Sequence, residues 1–157
     1  MSKPPAMPTL IAEFLKISDQ QLKYHPPSSE AIAAAEKALN VKFPSSYLQF
    51  LSATAGRTLM LWDLLRVYRD GDPSLDTAIE IVSSNTFNNS GGLPRSLVAF
   101  CACGNGDFDC FDTTRPRRGD EYSIVCWRHD AEPDEPPGRL CDSFPEWLVE
   151  QIKDRRP

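Results

Sequence analysis

The sequence predicts an α+β fold in which a central antiparallel β-sheet is flanked by helices. Three observations support this fold class: helical patterns fill the first third of the chain, apolar strand-like runs follow in the middle, and one helical pattern closes the chain. Consecutive strands that are joined by short turns pair antiparallel. Helices grouped before and after such strands then pack on the sheet, as in α+β domains.

Length, charge and cysteine content limit the class of protein. A chain of 157 residues suits one domain with its own core, and its net charge of −5 argues against non-specific nucleic-acid binding. No apolar run is long enough to cross a bilayer, no secretory pattern opens the chain, and five cysteines suggest free thiols in a reducing compartment. We therefore expect a flexible tail at residues 1–8, one domain at 9–157, and a cytoplasmic location without nucleic-acid or membrane contacts.

The first helices follow from apolar spacing and capping residues. Apolar residues predict a helix from Thr9 to Ile17. Ser28 is a suitable N-cap for a second, alanine-rich helix that ends at Leu39, where Asn40 tolerates a left-handed backbone. Pro44 opens a third helix, and the short link predicts that the second and third helices pack together as a hairpin.

The next part of the chain has weaker patterns. Leucines and aromatic residues over 58–68 favour one or two short strands, with a turn of helix at 62–65 as the alternative. All three tryptophans, Trp62, Trp127 and Trp147, are assigned to the core, and Trp62 has the best chance of partial exposure. Residues 70–73 favour a turn. Residues 75–82 suggest a helix that ends near Asn85, and 88–92 a loop.

Three strand-like runs and a final helix complete the domain. The runs are 97–103, 107–112 and 122–128, and Asn105-Gly106 between the first two is a strong hairpin signal because both residues accept positive φ. The acidic, proline-rich stretch 130–138 predicts an exposed loop. Ser143 and Glu146 match a capping box at the start of a helix whose apolar stripe includes Trp147.

The acidic hairpin raises the question of a metal site. Asp107, Asp109 and Asp112 could bind Ca²⁺ or Mg²⁺, but the spacing lacks the mid-loop glycine and terminal glutamate of an EF-hand loop. Strand alternation places Asp107 and Asp109 on one side, with Phe108 and Cys110 on the core side. The simpler expectation is a solvated strand face without a metal.

The sequence motifs give little support for a zinc site, a hydrolytic site or a nucleotide-binding site. Cys101, Cys103 and Cys110 have the wrong spacing for a zinc knuckle, so packed thiols are the expected arrangement. His129 with a cysteine or a carboxylate could form a small hydrolytic site, but no local signature accompanies it. Phosphate-binding and dinucleotide motifs are absent. We therefore predict no catalytic residue and no cofactor.

Several motifs nevertheless share a family pattern. Residues 32–51 follow a helix ending in E-x-x-L-G and then hydrophobic-Pro-x-x-Tyr-x-x-Phe-Leu, with Asn40 in place of the glycine. An apolar strand followed by G-x-G-D-aromatic covers 97–108, an aromatic-x-H-acid strand end covers 127–130, and S-F-x-x-aromatic-L covers 143–148. In this order the chain resembles the SMI1/KNR4 (SUKH) superfamily over about residues 28–152. Ala55-Gly56 departs from the usual Asn-Gly-Gly.

The resemblance implies a function that composition alone does not indicate. Bacterial members are mostly immunity proteins that bind and neutralise a cognate toxin, often a nuclease or deaminase, and a eukaryotic branch is associated with cell-wall signalling. An acidic surface suits the basic cleft of a nuclease. A scaffold or regulatory module without a toxin, and a small hydrolase, remain alternatives. The expected partner-binding residues are Asp107, Asp109, Asp112, Asp120, Glu121, Glu132, Asp134 and Glu135.

Overall fold

A computed structural model describes residues 2–18, 26–54, 63–65, 80–115 and 117–155. These residues form five helices and one sheet, which confirms the predicted α+β class, and no helix among them is long and apolar enough to cross a membrane. The helices are α1 Met7–Ile17, α2 Ser29–Leu39, α3 Ser45–Thr54, α4 Glu80–Ser90 and α5 Phe144–Lys153. The strands are β1 Asp63–Leu64, β2 Leu97–Ala102, β3 Phe108–Asp112, β4 Ser123–Trp127 and β5 Gly138–Cys141.

The sheet is an antiparallel meander with strand order β1-β2-β3-β4-β5. The predicted hairpin at Asn105-Gly106 joins β2 to β3, which pair from Leu97 opposite Asp112 to Ala102 opposite Phe108, with an irregularity between Ala99 and Cys101. Strand β5 was missed by sequence analysis, because four mostly exposed residues show no apolar alternation. It pairs with β4 and forms one edge of the sheet.

Local capping signals are confirmed at three helix ends. The Ser28 hydroxyl accepts a hydrogen bond from the Ala31 N–H (3.1 Å), and Asn40 ends α2 with a left-handed φ of 52°. At α5 the Ser143 hydroxyl accepts from the Glu146 N–H (3.3 Å). The Glu146 carboxylate accepts from the Asp142 N–H (2.9 Å), one residue before the position of an ideal capping box.

Two helix predictions need correction. Helix α4 runs from Glu80 to Ser90, although the sequence suggested a helix ending near Asn85 followed by a loop. Asn88 donates to the Ser84 carbonyl (2.8 Å), and Asn85 is 2% exposed, so tertiary contacts override the low helix propensity of asparagine. The predicted hairpin of α2 and α3 is also wrong: α2 packs mainly on α4, whereas α3 packs on α1 and α5.

The core lies where α1, α3 and α5 cover one side of the sheet. Tyr47 of α3 packs its ring edge-on against Phe100, Phe111 and Phe144, with ring centroids 5.2–6.1 Å apart. Trp147 of α5 packs against Phe100 at 4.9 Å and is buried, as predicted. These aromatic residues come from α3, β2, β3 and α5, so the cluster joins helices to the sheet.

Some predictions lie outside the described residues. These are the exposure of Trp62, most of the strand pattern at 58–68, the turn at 70–73 and the first part of the helix at 75–82. Helix α1 begins at Met7, two residues earlier than expected, with Pro8 in its first turn. Trp127, assigned to the core, is only half-buried.

Candidate functional site

The eight acidic residues expected on a partner surface fall into four different environments. Asp109 and Asp112 are 3% and 4% exposed, so the expectation that they line a solvated strand face is wrong. The alternation argument failed because helices cover the side of the sheet on which Asp109 lies. The Asp112 carboxylate instead accepts from the Thr114 N–H (2.9 Å) and pairs with Arg115 (3.3 Å). Neither residue is accessible to a partner.

Asp109 occupies a special position in the interior. One carboxylate oxygen accepts from the Trp147 indole N–H (2.8 Å), and the other faces the Cys103 thiol (3.7 Å). Burial raises the pKa of Asp109 and outweighs the hydrogen bonds from Trp147 and Cys103, which lower it. The charged form of this side chain is therefore costly in the folded protein.

We expect Asp109→Asn to remove the free-energy cost of ionising a buried carboxyl group, which in the wild type grows as pH rises. Because the folded pKa exceeds the ordinary 3.8, the folded protein binds more protons than the unfolded chain between the two values, and wild-type stability falls as pH rises through that interval. Urea unfolding from about pH 4 to pH 8, with a chelator present, should show the variant gaining stability relative to wild type as pH rises. A difference that is constant across this range would contradict the prediction.

Asp120 and Glu121 serve the fold by binding helix N-termini. The Asp120 carboxylate accepts from the Ser45 N–H (2.7 Å) at the start of α3, and this hydrogen bond is the main reason that the pKa of Asp120 is lowered. Glu121 accepts from the Ser46 hydroxyl and from the Phe144 N–H (3.1 Å) at the start of α5. Carboxylates satisfy free N–H groups and favour the positive helix end. The loop between β3 and β4 thus ties both helices to the sheet.

The two sequence motifs G-x-G-D and aromatic-x-H meet in space. Asp107 accepts hydrogen bonds from the His129 backbone N–H (3.2 Å) and lies 2.8 Å from Nδ1 of its ring. Burial alone would raise the pKa of Asp107, but the hydrogen bonds from His129 and Asn105 lower it. Gly106 has a φ of +98°, and a Cβ there would lie 2.7 Å from the His129 ring. Close packing against His129 therefore requires glycine.

His129 is the second residue of an exposed acidic loop, defined as residues 128–137. Four of its side chains are carboxylates, and Arg128 pairs with two of them, Asp130 (3.0 Å) and Glu135 (3.2 Å). The Glu135 N–H donates to the Glu132 carbonyl (2.9 Å), which closes a turn. Ion pairs, the turn and the Asp107–His129 contact together hold the loop, and Glu132 and Asp134 project their charges without an ion pair to any described residue.

A groove lies between the acidic loop and the turn that follows α4. Its volume is about 440 Å³, and we call it the Trp127 groove. Its lining combines Trp127 and Pro94 with Pro133, Pro136 and Pro137 of the loop, and Glu132 and Glu135 stand among them. Apolar surface beside carboxylates suits a segment that carries Lys or Arg, whose stems are apolar and whose ends are cationic.

The basic side chains cluster away from the acidic loop and the Trp127 groove. An open depression of about 470 Å³ beside the end of α2 is lined by Lys37, Lys42, Arg115 and Arg117. Lys42 pairs with Glu36 (3.0 Å), and the Arg117 guanidinium stacks over the Tyr122 ring at 4.2 Å. Arg117 also donates to the Lys42 carbonyl (3.3 Å), so it holds the loop after β3 against the chain that follows α2.

Within the part of the chain that the structure describes, two groups of side chains bring possible metal ligands together. Cys103, Asp109 and Cys126 form the first, and Asp107, His129 and Asp130 the second, with ligand atoms within 4.8 Å of one another in each group. Of the cysteines weighed as zinc ligands from the sequence, Cys101 and Cys110 are buried in the core, and only Cys103 belongs to one of these groups. Burial raises the pKa of Cys103 and Cys126, and nearby Asp109 raises it further, so both free thiols are protonated at neutral pH.

For the alternative of a small hydrolase, the structure orders His129 through Asp107 but places no nucleophile on its ring among the described residues. Among described residues, the hydrogen bonds of His129 go to Asp107 alone, and neither a hydroxyl nor a thiol bonds to its ring. His129 is a candidate from its sequence motif, whereas its pairing with Asp107 is visible only in the structure. In the structure Phe108 pairs with Trp127 across β3 and β4, so Asp107 lies opposite Arg128 and one residue away from His129 at the end of the strand pair.

The fold and these surfaces define a small α+β domain with an acidic, grooved face. The chain belongs to the SMI1 / KNR4 family (SUKH-1), whose pattern matches residues 26–150. A solved structure described as a protein from Pseudomonas syringae pv. tomato has a similar fold, with a TM-score of 0.64 and 16% sequence identity, covering 91% of this chain and 96% of that one. No curated protein matches the sequence.

Proposed function

We propose that this protein is a cytoplasmic immunity protein that binds a cognate bacterial toxin and blocks it without turnover. Membership of the SMI1 / KNR4 family over residues 26–150 carries the proposal, because bacterial members of the family that the motifs resemble are mostly immunity proteins. The acidic character of the chain, with a net charge of −5, supports a partner with a basic surface, such as a nuclease.

The proposed interface is the acidic loop together with the Trp127 groove. Glu132, Asp134 and Glu135 belong to the set expected from the sequence, and all three are exposed. Asp107 contributes by holding His129 at the base of the loop (2.8 Å). Carboxylates around the rim would speed encounter with a basic toxin, while the groove would accept one of its side chains. Asp109, Asp112, Asp120 and Glu121 are left out, since their carboxylates are engaged within the domain.

Co-expression tests the proposal directly. The toxin-like reading frame next to this gene is induced with and without this protein in a host that it kills. We expect survival only when both are present, and a complex of both chains on a sizing column. Unchanged killing together with separate elution of the two chains would overturn the proposal.

A charge reversal with a matched control tests the interface. We expect Glu132→Lys with Asp134→Lys to weaken toxin binding about tenfold or more, mainly through slower association that depends on salt. The control is Glu150→Lys with Asp154→Lys, which changes the net charge equally at exposed positions on and just after α5. Surface plasmon resonance at two salt concentrations measures both. Equal weakening by the two double variants would show that net charge, rather than the acidic loop, decides binding.

A further inference from the structure

We propose that Cys103, Asp109 and Cys126 bind one thiophilic divalent cation of the Zn²⁺ class. The three residues come from neighbouring parts of the sheet: Cys103 follows β2, Asp109 lies in β3, and Cys126 lies opposite Asp109 in β4. Their sulfur and carboxylate atoms all lie within 4.8 Å of one another. Tetrahedral zinc, with Zn–S bonds of about 2.3 Å, separates two sulfur ligands by about 3.8 Å, so small side-chain movements would close the site.

The surroundings of Asp109 support a cation at this place. A carboxylate that is 3% exposed is rarely left without a positive charge beside it. The hydrogen bonds of Asp109 come from neutral donors, the Trp147 indole and the Cys103 thiol, and the positive charge of Arg155 lowers its pKa without offsetting the effect of burial. A divalent cation between Asp109 and two thiolates would compensate this charge.

The Trp147 indole would act as the outer support of the site. Its N–H binds one oxygen of Asp109 (2.8 Å) and leaves the other oxygen directed toward Cys103 (3.7 Å). Hydrogen bonds of this kind orient metal ligands and tune their basicity. Two thiolates and one carboxylate favour Zn²⁺ over Mg²⁺ or Ca²⁺, which prefer oxygen ligands alone.

The site is open on one side. Cys103 and Cys126 are half-buried, so a cation can enter, and water would complete a four-coordinate shell. Binding would release the thiol protons to solvent, and affinity should therefore rise with pH. The cation would join β2, β3 and β4 and, through Trp147, the closing helix α5, which makes its role structural.

Metal titration of the full-length protein tests the proposal. The chain is stripped with a chelator under reducing conditions, and Co²⁺ and then Zn²⁺ are added. We expect one equivalent of Co²⁺ to give a sulfur-to-cobalt charge-transfer band, Zn²⁺ to displace it, and Zn²⁺ to raise the melting temperature. The wild-type result is decisive by itself: failure to bind one equivalent, or a spectrum without sulfur ligation, would overturn the proposal.

Variants assign the ligands. Cys126→Ser and Asp109→Asn should weaken Co²⁺ binding at least tenfold, whereas Cys141→Ser, at another half-buried free cysteine, should bind as wild type does. Circular dichroism of each metal-free variant confirms that it is folded. If Cys126→Ser does not fold, Cys103→Ser replaces it. An unchanged Co²⁺ affinity after the loss of either thiol, or a weakened affinity in Cys141→Ser, would contradict the assignment.

Discussion

Asn85→Ala should lower the free energy of unfolding by about 3–5 kcal/mol. The side chain of Asn85 binds both backbone groups of Ala99: its amide nitrogen donates to the carbonyl (2.8 Å), and its oxygen accepts from the N–H (2.8 Å). Ala99 lies on β2 beyond the short stretch that pairs with β1, so Asn85 stands in for a neighbouring strand. Alanine would leave two buried backbone groups unsatisfied, at about 1–3 kcal/mol each.

Urea unfolding followed by circular dichroism measures this effect, with Asn88→Ala as the matched control. Asn88 lies on the same helix and is half-buried, and its side chain donates to Ser84 of that helix (2.8 Å to the carbonyl). We expect its loss to cost less than about 1 kcal/mol. Comparable effects of the two substitutions would mean that Asn85 acts only through helix propensity.

Asn85→Asp separates the two hydrogen bonds. A carboxylate can still accept from the Ala99 N–H, but it cannot donate to the carbonyl oxygens of Ile81 (2.7 Å) and Ala99. The variant should be at least as destabilised as Asn85→Ala at neutral pH. It should recover part of this loss on acidification, because a protonated carboxyl is again a donor.

Gly106→Ala should destabilise the domain by about 2–4 kcal/mol, the second of the two largest effects. Its φ of +98° strains any residue with a Cβ, and that Cβ would meet Nδ1 of His129 at 2.7 Å and two ring carbons at 2.9 Å. His129 would have to move, and its contact with Asp107 (2.8 Å) would be lost. We therefore also expect the pKa of Asp107, now lowered by His129, to rise toward its ordinary value.

Gly92→Ala is the control for backbone strain. Its φ of +105° resembles that of Gly106, but a Cβ there meets nothing within 4 Å. Gly92→Ala should lower the free energy of unfolding only by the backbone strain of an alanine at positive φ, about 1–2 kcal/mol. Urea unfolding gives the difference between the two variants, and NMR titration gives the Asp107 pKa. Equal costs with an unchanged Asp107 pKa would show that His129 does not depend on glycine at position 106.

Local signals predicted most of the fold because their physics is local. The caps at Ser28, Asn40 and Ser143 and the Asn105-Gly106 turn each depend on a few neighbouring residues, and all are present. Prediction from the sequence failed where contacts between residues far apart in the chain determine whether a helix or strand forms. Helix α4 extends through asparagines because the sheet edge engages Asn85, and β5 forms because β4 offers it a partner.

The candidate site was predictable only in part. The acidic loop was expected to be exposed from its charges and prolines, and Glu132, Asp134 and Glu135 are exposed. A sequence does not show which acids find partners inside the domain. Asp109 is engaged by Trp147, 38 positions later, and Asp120 by Ser45, 75 positions earlier. Charge alone is a weak guide to an interface for this reason.

By itself, the sequence determined the class of fold, the order of the main strands and the family, since periodicity, turn residues and motif order are properties of the chain. Only the tertiary structure decided what the acidic hairpin does. Sheet pairing and helix packing bury Asp109 beside two thiols, assign Asp112 to a turn, and direct Asp107 to His129. The physical reason is that a carboxylate's role depends on its burial and its partners, and both are set by residues far away in the chain.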